Sequence, residues 1–150
     1  MALRILYAMQ LALLNQMLKK GVINNEFEHL MISKRGGYPG FVVQTIEKYC
    51  AEVEAILSQM TNDIAKPDVE FSHLASLCDL VKEKSTRIGS VQVIASCMLL
   101  IRACHQNNKK RFSQTLGLLK NDFTITQTDL EAYARMEKRI IIELEVEAEV

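Results

Sequence analysis

The chain has 150 residues, and 49% of them are hydrophobic, which is enough for one domain with a buried core and too little for two ordinary domains. Its 18 acidic and 18 basic residues cancel, so no net charge draws it toward nucleic acid or an anionic membrane surface. The four cysteines are widely spaced and form no CxxC pair, which argues against a zinc site and a disulfide framework. We expect four buried free thiols, namely Cys50, Cys78, Cys97 and Cys104.

The N-terminal segment requires a check because an apolar stretch from Ile5 to Leu14 follows Arg4, as in a signal peptide. Gln10 interrupts this stretch, no small-residue cleavage site follows it, and it is too short to span a bilayer. The same amphipathic pattern continues to Leu18. We therefore predict an N-terminal helix in a soluble, intracellular protein.

Helical periodicity dominates the chain, and no alternating run is long enough to predict a strand. Gly21 ends the first helix after two lysines, and Asn24 or Asn25 caps the second. A loop at residues 35–40 holds three glycines and one proline, and Pro67 ends the third helix. The predicted helices run from about Leu3 to Lys20, from Asn24 or Asn25 to near Lys34, from about Phe41 to Ile64, from just after Asp68 to Gly89, from about Val91 to Asn107 and from Lys109 to near Leu144.

The predicted architecture is all-α and comprises one domain over residues 1–150, with a core at about 10–142. Short connections between long amphipathic helices imply antiparallel neighbours, so helices three to six should form an up-and-down four-helix bundle. The first two helices should pack at one end of it. We expect the last helix to bend near Gly117 or residues 124–126, where helix propensity is poor, and the acidic tail after Glu143 to fray.

Helix four has two distinct faces. At 100° per residue, seven mostly polar residues lie within about 60° of Asp79, opposite an apolar stripe that should be buried. We call this set the polar face. Its members are Ser72, Ala75, Ser76, Asp79, Lys82, Glu83 and Thr86.

Three segments of the chain resemble the plant histidine-containing phosphotransfer proteins: residues 24–30 (NNEFEHL), residues 66–71 (KPDVEF) and residues 81–90 around Ser85-Thr86-Arg87-Ile88-Gly89. The resemblance extends over roughly residues 10 to 140 in order and nearly without gaps. It implies the same helical bundle. It also implies a place in the multistep phosphorelays of cytokinin signalling, in which such proteins carry phosphoryl groups between receiver domains.

The motif of that family reads His-Gln-Leu-Lys-Gly-Ser-Ser and is followed by a glycine that closes the helix. With Gly89 as this glycine, the phosphoryl-accepting histidine falls ten residues earlier, on Asp79. Lys82 matches the family lysine, whereas Glu83 replaces the motif glycine. Lys84 and Ser85 stand at the two serine positions, and only Ser85 matches. On helix five, Ile101 beside Arg102 stands where the family often has a polar or basic residue.

The resemblance therefore implies a pseudo-phosphotransfer protein that is not an enzyme and that binds receiver domains of hybrid sensor histidine kinases and response regulators. It would act as a negative regulator. No cofactor, metal, nucleic acid or membrane is expected, and we expect a monomer in the cytoplasm and nucleus. The receiver-binding residues would be the polar face together with an apolar ledge on helix two, made by some or all of Phe27, Leu30 and Met31. The alternative is that all three belong to the core.

Two other interpretations stay open. Asp79, Lys82 and Glu83 could be an ordinary solvated helix face, and the bundle could serve as an interaction scaffold for a partner outside phosphorelays. An active phosphotransfer protein that uses another residue is the least favoured. His73 lies about 120° around helix four from Asp79, and His105 lies near the end of helix five.

Overall fold

Six helices make up almost all of residues 2–149, the part of the chain that the computed structural model describes. The predicted helices are all present, and α3 has the predicted limits. The side chain of Asn24 caps α2 by accepting a hydrogen bond from the backbone of Glu26 at 3.0 Å, as predicted. The helices are α1 (Ala2–Lys19), α2 (Asn25–Arg35), α3 (Phe41–Ile64), α4 (Phe71–Ile88), α5 (Val91–His105) and α6 (Lys109–Ala148).

The four C-terminal helices form the predicted four-helix bundle. α3 packs against α4 and α6, and α5 packs against the same two helices, so the four enclose one core. α1 packs along α6, while α2 packs against α3 and α4. One apolar cluster draws residues from all six helices, so the two N-terminal helices share the core of the bundle.

The last helix is longer and more regular than predicted. α6 continues through Gly117 and the threonine-rich stretch without interruption and ends at Ala148, so the expected fraying after Glu143 is not seen. The hydroxyls of Thr124, Thr126 and Thr128 each donate to the carbonyl four residues earlier. These bonds satisfy the side chains within the helix, which explains why the poor propensity of threonine does not break it.

The turn between α4 and α5 is built on a left-handed glycine. Gly89 has φ +86°, and the backbone N–H groups of Gly89 and Ser90 both donate to the carbonyl of Ser85. A Cβ on Gly89 would lie 2.4 Å from the side chain of Asn24 and 3.0 Å from the backbone nitrogen of Phe27. Glycine is required here for its conformation and for the close approach of α2. The turn therefore fixes the residue at which α4 ends. Asp79 is located by counting ten residues back from this glycine.

A polar cluster joins α1, α2 and α6. The guanidinium of Arg35 donates to both oxygens of the buried Glu137 carboxylate, at 2.6 and 3.2 Å, and Gln10 donates to the same carboxylate at 2.7 Å. Burial opposes the charge of Arg35, but the carboxylate outweighs it and raises the pKa of Arg35. The Tyr133 ring packs edge-on against Phe27, with the ring centroids 5.1 Å apart.

All four cysteines are buried and free, as predicted. Burial raises the pKa of Cys50 and that of Cys97 to about 12. Nearby carboxylates add to the shift of Cys50, whereas Lys82 and Asp79 act on the pKa of Cys97 in opposite directions. Thiols with such values stay protonated near neutral pH and are weak nucleophiles. Cys50 and Cys97 therefore act as core residues.

Candidate receiver-docking surface

The structure brings the predicted polar face together on one side of α4. Five of its seven residues are exposed, and Ala75 and Lys82 are half-buried. The opposite stripe of α4 is buried and includes Leu74, Cys78 and Val81. The separation of the two faces predicted from the sequence is confirmed. The exposed members are Ser72, Ser76, Asp79, Glu83 and Thr86.

Asp79 lies in the middle of this face, with its carboxylate free to meet solvent or a partner. Within residues 2–149 its side chain takes part in no hydrogen bond or ion pair, and the same holds for Lys82, one turn further along. Both charges act on the thiol of Cys97, which places this part of α4 against the middle of α5. The arrangement leaves one carboxylate and one ammonium side by side on an accessible surface.

The three residues after Lys82 point in different directions. Glu83 stays on the polar face and pairs with Arg87 at 3.3 Å, with both side chains about two-thirds exposed. Lys84 turns toward α3 and binds the carboxylate of Glu52, which lowers the pKa of Glu52. Ser85 is fully buried. Only Glu83 among them changes the surface that a partner of the polar face would meet.

The buried Ser85 holds α4 to α3. Its hydroxyl and that of Tyr49 share a hydrogen bond of 2.7 Å inside the core. Burial raises the pKa of Tyr49 to about 12, although this bond opposes the shift. Sequence reasoning did not find Tyr49 as the partner of Ser85. Neither did it find Glu52 as the partner of Lys84, because a pair that joins two helices leaves no local pattern.

The predicted apolar ledge on α2 is wrong for two of its three residues. Phe27 and Met31 are 0% and 1% exposed, because their side of α2 packs onto α3 and α4 rather than facing solvent. Leu30 is half-buried against the core cluster and remains partly accessible. The apolar residue that α2 exposes most is Ile32, at 60%. Leu80, next to Asp79, is 40% exposed and was also missed.

His73 and His105 both lie away from Asp79. His73 faces α3, where its ring nitrogen is 3.3 Å from Gln59 and 3.5 Å from the carboxylate of Asp63. His105 is the last residue of α5 and is exposed. On α5, Ile101 packs against the core cluster while its neighbour Arg102 is exposed. The aliphatic side chain at position 101 thus offers no donor to the polar face.

Residues 2–149 contain neither a candidate metal-binding cluster nor a helix that could span a membrane. No group of three or more His, Cys, Asp or Glu side chains is placed so as to hold a metal ion. No helix in the same range is both long enough and apolar enough to cross a membrane.

Solved structures with the same fold include histidine-containing phosphotransfer proteins. A histidine-containing phosphotransfer protein from rice superimposes with a TM-score of 0.88 at 22% identity, covering 93% of this chain and 99% of the other. One from maize gives a TM-score of 0.84 at 25% identity, covering 90% and 99%. The bundle described above is therefore the helical bundle of histidine-containing phosphotransfer domains.

Sequence comparison points the same way. Histidine-containing phosphotransfer protein 1 of Oryza sativa subsp. japonica is 25% identical over 129 residues, which cover 86% of this chain and 88% of the relative. Histidine-containing phosphotransfer protein 5 of Arabidopsis thaliana is 22% identical over 124 residues, or 82% and 79% of the two chains. No protein-family model matches the chain. In both sequence and fold, the chain is therefore similar to plant histidine-containing phosphotransfer proteins.

Proposed function

We propose that this protein binds receiver domains in two-component phosphorelays and relays no phosphoryl group. The observation that carries the proposal is the residue ten positions before the closing Gly89. That position is exposed at the centre of the polar face and holds Asp79 instead of a histidine. The relatives are named as histidine-containing phosphotransfer proteins, and the resemblance implies that this histidine accepts the phosphoryl group. A chain without the histidine keeps the fold of these relatives and lacks their phosphoryl acceptor.

The chemistry of the acceptor explains why an aspartate cannot replace it. Phosphohistidine forms at an imidazole nitrogen, a nucleophile that a carboxylate does not reproduce in basicity, reach or leaving-group behaviour. An aspartyl acceptor needs a divalent cation and further carboxylates to neutralise the incoming phosphoryl group. Around Asp79 the polar face supplies Lys82, which is cationic, and Glu83, which pairs with Arg87. The polar face therefore supplies neither a histidine acceptor nor the full set of groups that an aspartyl acceptor needs.

Binding is supported by what the polar face keeps. It is accessible along four turns of α4, and Lys82 stands where the family lysine would steady a phosphoryl group. Asp79 and Glu83 add two carboxylates opposite the acidic, Mg²⁺-binding pocket that the resemblance implies for a receiver. Like charges across an interface weaken it unless a cation intervenes. We therefore expect binding to depend on Mg²⁺ more strongly than in relatives with histidine and glycine at these positions.

A carrier that occupies receivers without accepting phosphate would compete with active carriers. On this proposal the protein is a negative regulator of a cytokinin-type phosphorelay, not an enzyme, and it acts as a monomer. Its location in cytoplasm and nucleus also stays a prediction from the resemblance. The scaffold interpretation retains some support, because Glu83, Lys84 and Ile101 all depart from the family pattern.

A competition assay separates these possibilities. A receiver domain is titrated with this protein in Mg²⁺, and phosphotransfer from that receiver to an active histidine-containing carrier is followed. We expect saturable binding and slower transfer to the carrier. Asp79→Arg with Glu83→Arg changes the polar face without touching the core, so receiver binding and its dependence on Mg²⁺ should both change if the receiver docks there. Absence of both binding and competition for a panel of receivers would refute the proposal and favour the scaffold.

A further inference from the structure

A groove of about 190 Å³ lies between α2, α3 and α4, beside the polar face. Its apolar part is made by Leu30, Tyr49 and Ile88. Four cationic side chains surround it and come from all three helices: Lys34, Lys48, Lys84 and Arg87. In a chain whose charges cancel overall, this is a local concentration of positive charge.

One acidic residue, Glu52, is among the residues that line the groove, and it is already engaged. It binds Lys84 and lies 3.8 Å from Lys48. Lys34 stands over the ring of Phe41, 5.7 Å from its centroid. One carboxylate against four cations leaves the lining with a surplus of three positive charges, or two when Glu83, the partner of Arg87, is also counted. Lys48 is 80% exposed, so at least part of this charge is available to a ligand.

The groove is continuous with the polar face. Arg87 lines the groove, and it also pairs at 3.3 Å with Glu83, which is a member of the polar face. Lys84 and Glu83 are neighbours in sequence, with their side chains on the groove and on the polar face respectively. A protein large enough to cover the polar face would therefore reach the groove without any change of fold.

We propose that this groove binds an acidic segment of the receiver domain that docks on the polar face. The inference rests on the proposed function and adds a second contact region to it. Lysines on flexible stems around an apolar floor suit carboxylate side chains on a polypeptide, which offer apolar surface between their charges. The groove offsets the repulsion that Asp79 and Glu83 create, because it attracts the same acidic partner a short distance away.

Loss of the groove's positive charges is expected to lower mainly the rate constant for association with the receiver. Charges at the edge of an interface steer the encounter and change its dependence on salt, while they change the dissociation rate less. The test is stopped-flow measurement of receiver binding at low and high salt for Lys34→Glu with Lys48→Glu. We expect the association rate constant to fall about tenfold at low salt and its salt dependence to become shallower.

The matched control is Lys19→Glu with Lys110→Glu, two exposed lysines outside the groove with the same change of charge. It should alter the rate by no more than about twofold. If the groove variant does not fold, Lys34→Gln with Lys48→Gln removes the charges more gently, and we expect about a threefold fall. Thermal unfolding of each variant shows that its fold is intact.

The outcomes distinguish the inference from the function on which it rests. If the unmodified protein binds the receiver and the groove variants bind with the same rate and salt dependence as the control, the groove has no such role and the proposed function stands. If the unmodified protein binds no receiver, the proposed function fails and this inference fails with it. If millimolar inorganic phosphate displaces the receiver from the unmodified protein at constant ionic strength, and this displacement is lost in Lys34→Glu with Lys48→Glu, the groove is a phosphate site and the acidic-segment assignment is wrong.

Discussion

The two sides of α4 differ in how tightly contacts with the rest of the molecule constrain their side chains. The buried side is tied down by the Tyr49–Ser85 hydrogen bond, by apolar contacts and by the left-handed Gly89 that α2 approaches closely. The exposed side carries Asp79, whose side chain has no partner within residues 2–149. The bundle can therefore lose the chemistry of one side while it keeps the fold on the other. The predictions below test this contrast by changing one side at a time.

The largest effect is expected at the closing turn. Gly89→Ala places a Cβ in a left-handed conformation and against Asn24 and Phe27, so we expect a loss of about 2–3 kcal/mol in the free energy of unfolding. The control is Gly117→Ala, where nothing lies within 4 Å of the added carbon. It should stabilise the helix by about 0.5–1 kcal/mol. Urea denaturation of both variants measures the difference, and equal effects would show that the turn is not constrained as described.

A smaller effect is expected from the hydrogen bond behind the polar face. Tyr49→Phe leaves the fully buried Ser85 hydroxyl without its partner, which should cost about 1 kcal/mol. Adding Ser85→Ala removes the unpaired group, so the double variant should be no less stable than Tyr49→Phe alone. Urea denaturation of the two single variants and the double variant completes a double-mutant cycle. Strictly additive losses would mean that the two hydroxyls do not interact.

The smallest effect is expected on the exposed side. Asp79→Ala removes a charge that makes no contact within the described residues, so the free energy of unfolding should change by less than about 0.5 kcal/mol. The same denaturation experiment measures it, and Asp79→Asn serves as the control that keeps the shape of the side chain. A loss of 2 kcal/mol or more would place Asp79 in a structural role and would break the contrast between the two sides.

The sequence was sufficient for whatever depends on local pattern. Helical periodicity, the Asn24 cap and Gly89 predicted six helices, and counting back from Gly89 placed Asp79 on an exposed face, as the structure has it. The periodicity of α2 did not reveal which side of a short helix the bundle covers, so Phe27 and Met31 were misplaced.

Contacts between residues that are far apart in the sequence leave no local pattern from which they could be predicted. Arg35 and Glu137 are 102 positions apart, and only the packing of α1 and α2 onto the bundle brings them together. The groove beside the polar face was missed for the same reason, because its four cations come from three helices, and only Lys84 and Arg87 are close in the sequence. Surfaces of this kind can be found only once the helices are assembled.

The central claim is that Asp79 ends phosphoryl transfer while the bundle around it is kept. It is tested by incubating a phosphorylated receiver with the unmodified protein, with Asp79→His and with Asp79→His combined with Glu83→Gly, then measuring acid-labile label on each. We predict no label on the unmodified protein, little on the single variant because Glu83 still obstructs the receiver, and clear transfer to the double variant. Acid-labile label on the unmodified protein would contradict the account.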